Sequence, residues 1–197
     1  AFDLSPLDVD DSRHTALILP DIQTQNAYEM QRFHAESVPD VAATVAAQGD
    51  RSVFGLSAGD IMFDDLGMYP DYIEGVQRTG IPFFQVIGNH DLDFDGASDE
   101  LTTRTFSGFF GPRYYSFDRG AVHYVVLDDV LWHGSSYIGY LGHDQLHWLE
   151  QDLARVEAGR PVIVVTHIPV LGSRYARDGE ESPGASVSIT NREALYR

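Results

Sequence analysis

Four short apolar runs, each closing on a polar or turn-forming cluster, constrain this 197-residue chain more than any other feature of it. Thr15 to Pro20 (TALILP) ends at Asp21, and Arg51 to Leu56 (RSVFGL) delivers Ser57 to Asp60 at its end. Pro82 to Ile87 (PFFQVI) runs into Gly88, and Pro161 to Thr166 (PVIVVT) ends at His167. Runs of this length, rich in β-branched and aromatic residues and bounded by Gly, Pro and Asp, read as buried strands. Helical patterns separate the first three. Pro39 to Gln48 carries Val41, Val45 and Ala46 on one face, and Tyr69 to Arg78 is stopped by Gly80. Strands alternating with helices at this spacing predict an α/β fold whose sheet is largely parallel and covered on both faces.

The second half mixes in antiparallel structure. Tyr114 to Phe117 and Ala121 to Leu127 flank Asp118-Arg119-Gly120, a hairpin signal. His143 to Val156 places Leu146, Leu149 and Leu153 at helical spacing, and Gly172 to Asn191 reads as a polar loop. Thr190 with Glu193 fits a capping box that opens a further helix, of which only six residues follow Asn191. We therefore expect residues 1–197 to form a single domain cut short at its C-terminus.

Charge and cysteine usage narrow the function. Thirteen Lys and Arg against thirty Asp and Glu give a formal charge of −17, which repels nucleic-acid backbones and anionic membranes. A phosphate ligand is still compatible, because bound cations invert the potential inside one pocket. The absence of cysteine excludes disulfide scaffolds, thiolate metal sites and cysteine nucleophiles. No apolar run is long enough to cross a bilayer. An exported or periplasmic setting is taken ahead of a cytoplasmic one.

The polar clusters carry the chemistry. Asp21-Ile22-Gln23, Gly59-Asp60, Gly88-Asn89-His90-Asp91 and His167 each follow a predicted strand, and ligands of open α/β sheets bind beyond the strand carboxyl ends. Carboxylate, amide and imidazole groups suit Mn, Fe and Zn ions. Gly59-Asp60 followed by Asp64 or Asp65, then Gly-Asn-His-Asp at 88–91, then His167 in VVTHIPV, resemble the ordered motifs of calcineurin-like metallophosphoesterases. The resemblance runs from about Leu17 to the end and implies a layered sandwich with a mixed, largely parallel β core flanked by helices. It implies two divalent or trivalent ions, Asp60 bridging them, Asn89 and His167 holding one and Asp21 the other. It also implies that His90 protonates or stabilises the leaving oxygen of a small phosphorylated substrate, with Asp91 orienting its ring.

Three departures from that pattern stand out. Gln23 occupies the place of a histidine ligand, where it either binds metal or hydrogen-bonds nearby groups. The acidic residue after Gly59-Asp60 arrives one position late, at Asp64 where Phe63 would be expected to carry it. The family's Gly-His-x-His segment is missing, and Gly142-His143-Asp144-Gln145 reads as a helix start instead. Truncation is the expected cause, and a degenerate binding module without catalysis is the alternative. Asp128 and Asp129 either face the crevice or serve a turn. Trp132, His133, Tyr137 and Tyr140 either line a pocket or pack over the sheet edge. Arg174 and Arg177 either meet a phosphate or sit on a solvated loop, and His14, His34, His123 and His147 are read as surface or core residues.

Overall fold

A computed structural model describes residues 10–171 and 184–196. The expected strands form, with ends displaced by one or two residues. β1 (His14–Leu19), β2 (Ser52–Ala58) and β3 (Phe83–Val86) make one parallel sheet in that order, with Ala16 beside Phe54 and Leu56 beside Phe84. β4 (Tyr115–Arg119), β5 (Val122–Val126) and β8 (Val162–Val165) make a second, antiparallel between β4 and β5 and parallel between β5 and β8. β6 (Val130–Trp132) and β7 (Tyr137–Gly139) pair as a small antiparallel ribbon in a stretch expected to be loop.

The central strands β2 and β5 read as largely apolar, buried runs, as strands covered from two sides do. Phe54, Leu56 and Val86 of the first sheet pack against Tyr124, Val126 and Val165 of the second, a sandwich core in which Phe84 stacks on Phe117 with centroids 4.0 Å apart. The alternate residues Ile87, Val125 and Leu127 join the larger core under the helices. β1 and β8 each lie at the edge of their sheet, and there Ile18, Val162, Ile163 and Val164 are exposed. This is the mixed α/β sandwich that the sequence implies.

The helices differ more. A helix begins well before Pro39: α1 (Ala27–Arg32) is capped by Asn26, whose side chain accepts from the Tyr28 and Glu29 N–H groups. It runs through a π-helical turn, Phe33–Ser37, into α2 (Val38–Ala46). Pro39 has no N–H to donate and its ring clashes with the preceding turn; the wider turn accommodates it inside the helical stretch rather than at its start. α3 (Tyr69–Gln77) is as expected, α4 (Asp99–Thr102) and α5 (Arg104–Phe110) fill a region left unassigned, and α6 (His143–Leu153) starts at Gly142 without a side-chain cap. The helix expected after Thr190 is a 3₁₀ turn, Arg192–Tyr196, because the Thr190 hydroxyl donates to the Gly139 carbonyl instead of capping. Among the described residues no helix is long and apolar enough to cross a membrane.

Candidate metal centre

The parallel strands β1, β2, β3 and β8 all end on one side, and their following residues meet there. Asp21, Asp60 and His167 each bring one ligand atom to within 4.8 Å of the others. Asn89 joins them, its Oδ1 lying 3.1 Å from His167 Nε2, and Gln23 joins through a 2.6 Å hydrogen bond from Nε2 to Asp60 Oδ2. All five residues expected to hold metal are therefore gathered at one place.

The backbone at this place is unusual. Asp21, Gln23, Asp60 and Asp64 have φ between 44° and 67°, and they are the only non-glycine residues with positive φ among the described residues. Such conformations cost about 1–3 kcal/mol each and persist where surrounding structure imposes them. The motif glycines have steric reasons as well. A Cβ at Gly59 would overlap the His167 ring, and one at Gly88 would overlap the Asp60 backbone nitrogen. These two glycines let three ligand-bearing loops close on one another.

Asp60 is 3% exposed and its two oxygens face different partners. Oδ2 accepts from Gln23, while Oδ1 accepts from the His90 N–H at 2.9 Å and lies 3.3 Å from His167 Nε2. A carboxylate presented this way fits a bridging ligand. Burial alone would raise its pKa, but the bonds from His167, His90 and Gln23 outweigh burial and hold it below the ordinary value. For His167, burial would lower the imidazole, yet the Asp60 carboxylate wins and pushes it up to about 9. Its Nδ1 lies 3.0 Å from the Ala58 carbonyl, an acceptor, so the proton sits on Nδ1 and the ring aims Nε2 at Asn89 and Asp60. Nε2, Asn89 Oδ1 and Asp60 Oδ1 can share at most one proton, so a cation in its place meets three donor atoms of the kind that Mn, Fe and Zn accept. The residues present fit a metal.

Asp91 departs from expectation. It is fully buried, but its carboxylate does not face the His90 ring; it accepts from the N–H groups of Ile61 and Met62 at 3.1–3.2 Å, from Gly88 N–H at 2.9 Å and from the Tyr69 hydroxyl at 3.0 Å. Burial raises it to about 6 against the three N–H donors. The reason is geometric: Asn89–Asp91 forms a 3₁₀ turn that sends Asp91 inward while His90 points out. His90 Nδ1 instead meets Asp64 Oδ1 at 2.7 Å, and its ring stacks on Phe63.

A second brace is Asp129, which the sequence left open between the crevice and a turn. Asp129, also fully buried, accepts from the N–H groups of His167 at 3.3 Å and Ile168 at 3.2 Å. Burial raises it to about 7, partly offset by those donors. Asp128 turns the other way, 3.0 Å from Arg113. Trp132 and Tyr137 pack against the core, and burial and the Asp60 charge raise the Tyr137 phenol. His14 bonds the Tyr124 hydroxyl, His34 meets Arg78, His123 lies between two carboxylates and His147 meets Gln151. Arg174 and Arg177 lie outside the described residues.

Comparison with known proteins decides the lineage. The calcineurin-like phosphoesterase family model matches residues 15–190. The chain belongs to that family. Purple acid phosphatase 21 of Arabidopsis thaliana is 30% identical over 129 residues, covering 59% of this chain and 27% of that protein. Serine/threonine-protein phosphatase CPPED1 of Mus musculus is 36% identical over 92 residues, 46% of this chain and 29% of that one. A dimetal phosphatase from Danio rerio superposes with a TM-score of 0.57 at 14% identity, over 93% of this chain and 76% of its own. The phosphopantetheinyl hydrolase of Mycobacterium tuberculosis gives 0.53 at 12%, over 92% and 78%. The structural likenesses establish the phosphoesterase fold, and the matches span under a third of the length of the two curated relatives.

Proposed function

We propose that this phosphoesterase hydrolyses the ester of a small phosphorylated substrate, a phosphomonoester or phosphodiester. The observation that carries the reading is the convergence of Asp21, Asp60, Asn89 and His167 below the outward-facing ring of His90. Asp60, with its oxygens turned to two sides, would bridge two cations of Mn, Fe or Zn type. Asn89 and His167 would hold one, and Asp21, with the Gln23 amide oxygen after a flip of that group, the other. When bound, such cations offset phosphate charge and activate water for in-line attack.

The remaining steps belong to side chains. Asp64 accepts from Nδ1 of His90, and in the imidazolium form Nε2 carries the second proton, which passes to the leaving oxygen as the P–O bond breaks and leaves the ring neutral. The Ala58 carbonyl and Asp129 hold His167 in ring orientation and backbone position, and Asp91 ties the Asp60 loop to the start of the Gly88 turn. The acidic surface makes nucleic acid an unsuited partner.

The test is turnover of p-nitrophenyl phosphate and bis(p-nitrophenyl) phosphate after loading with Mn²⁺. The reading predicts hydrolysis of at least one, lost in Asp60→Asn, while His90→Ala reduces turnover of glycerol 2-phosphate, whose alkyl leaving group needs a proton, about a hundredfold or more. Metal binding without turnover of any ester would favour the binding-module alternative instead.

A further inference from the structure

We propose that Phe63 is a positioning residue for His90, stacking on the imidazole so that its outward nitrogen stays aimed at the leaving oxygen. The proposal rests on the phosphoesterase reading of the site. The two rings lie with centroids 4.2 Å apart and planes 21° from parallel. Neither partner of the stack is free to drift. The Phe63 N–H donates to the Thr24 carbonyl at 3.1 Å, Thr24 bridges Met62, and the Met62 N–H is held by Asp91. On the other side the His90 N–H donates to Asp60 at 2.9 Å and its carbonyl accepts from the Asp64 N–H at 3.2 Å.

The extra residue between Gly59-Asp60 and the next carboxylate explains how the stack arises. Asp64 takes a left-handed conformation, φ 67°, which returns its carboxylate to His90 Nδ1 at 2.7 Å and leaves Phe63 over the ring. A single hydrogen bond at Nδ1 fixes one edge of an imidazole but lets the ring rock about that edge. The aromatic face removes this freedom, and stacked rings attract beyond their buried area. About a quarter of the His90 side chain stays exposed, which keeps its outer edge reachable.

A general acid matters most when the leaving group is a poor one. Alkyl phosphates need a proton on the departing oxygen, whereas p-nitrophenolate leaves without it. Loss of aim therefore shows as a leaving-group effect in kcat, with KM unchanged, because the interaction is made in the transition state alone.

The experiment compares the Mn²⁺-loaded chain with Phe63→Leu, the unbranched Phe63→Met and Phe63→Tyr on glycerol 2-phosphate and p-nitrophenyl phosphate. It also records the His90 ring-proton shifts by NMR on the metal-free proteins. In Leu and Met the ratio of alkyl to nitrophenyl kcat should fall about tenfold and the upfield ring-current displacement of the His90 protons should vanish. Tyr should restore both. Equal slowing of the two esters, failure of Tyr to rescue, or an unchanged His90 shift in Leu and Met would overturn the proposal. A wild-type chain that turns over neither ester contradicts the phosphoesterase reading instead, and the His90 shift still decides whether the stack holds the ring.

Discussion

Asp21, Gln23, Asp60 and Asp64 share a backbone conformation that non-glycine residues avoid, the first three in the ligand cluster and Asp64 on the His90 ring. Strain held at a functional site implies a trade between stability and activity. Asp64→Gly removes the steric cost of φ 67° and the carboxylate on His90 together. Its melting temperature should match or exceed that of the wild type while kcat on glycerol 2-phosphate falls about a hundredfold; calorimetry and steady-state assays check both, and a clearly lower melting temperature would contradict the strain argument. Asp129 acts in the opposite way, since stability and metal binding depend on it together. Asp129→Leu strands two buried N–H groups and should cost about 2–3 kcal/mol in urea unfolding and weaken Mn²⁺ binding about 10- to 100-fold. Asp129→Asn keeps one acceptor oxygen and should retain most of both. At this scale the gathering of Asp21, Gln23, Asp60, Asn89 and His167 was readable, because residue type and position after a strand suffice to bring them together. The braces were not, because Asp91 and Asp129 act through backbone N–H groups of distant segments, which leave no pattern in the local sequence.

Among the elements, those set by a strong apolar run were readable, and those set by tertiary contact were not. TALILP, PFFQVI and PVIVVT are β-branched or aromatic runs that pair in parallel, largely half-buried in β1 and β3 but exposed except for Val165 in the edge strand β8. Pro39 misled about the start of its helix because the π-helical turn, which no residue pattern announces, absorbs it. The 3₁₀ turn after Thr190 is decided by a bond to Gly139, fifty-one residues away. The β4–β5 hairpin is joined to α6 by His123, whose Nδ1 lies 2.8 Å from Asp118 and whose Nε2 lies 2.8 Å from Asp152. Burial would lower this imidazole, but its hydrogen bonds to the two carboxylates outweigh burial and raise it. A group whose folded pKa is raised stabilises fully below its unfolded value, near 6.5 for histidine, and loses that contribution as pH climbs through the folded value. Wild type should therefore exceed His123→Leu by about 1–2 kcal/mol at pH 6, with the gap narrowing at alkaline pH. Urea titrations across that range test this, and a gap that widens with pH would refute it.

At the scale of the whole molecule, two facing sheets carry the ligand loops to one end, and the net charge of −17 surrounds them. An anionic ester approaches such a molecule against a repulsive field, which added salt screens. The value of kcat/KM for p-nitrophenyl phosphate should accordingly rise as ionic strength increases from about 10 to 150 mM, opposite to the trend for a basic phosphate-binding surface. The sandwich was readable because its strands alternate with helices and its motifs come in family order; the pairing of each loop brace with its ligand depends on how the sheets stack. The most direct test of the metal centre is the amount of Mn²⁺ retained by this chain after loading and desalting, measured by elemental analysis beside Asp60→Asn. The account predicts bound metal in the wild type that Asp60→Asn does not retain. Equal retention by the two proteins, or none by either, would contradict Asp60 as the ligand on which the centre is built.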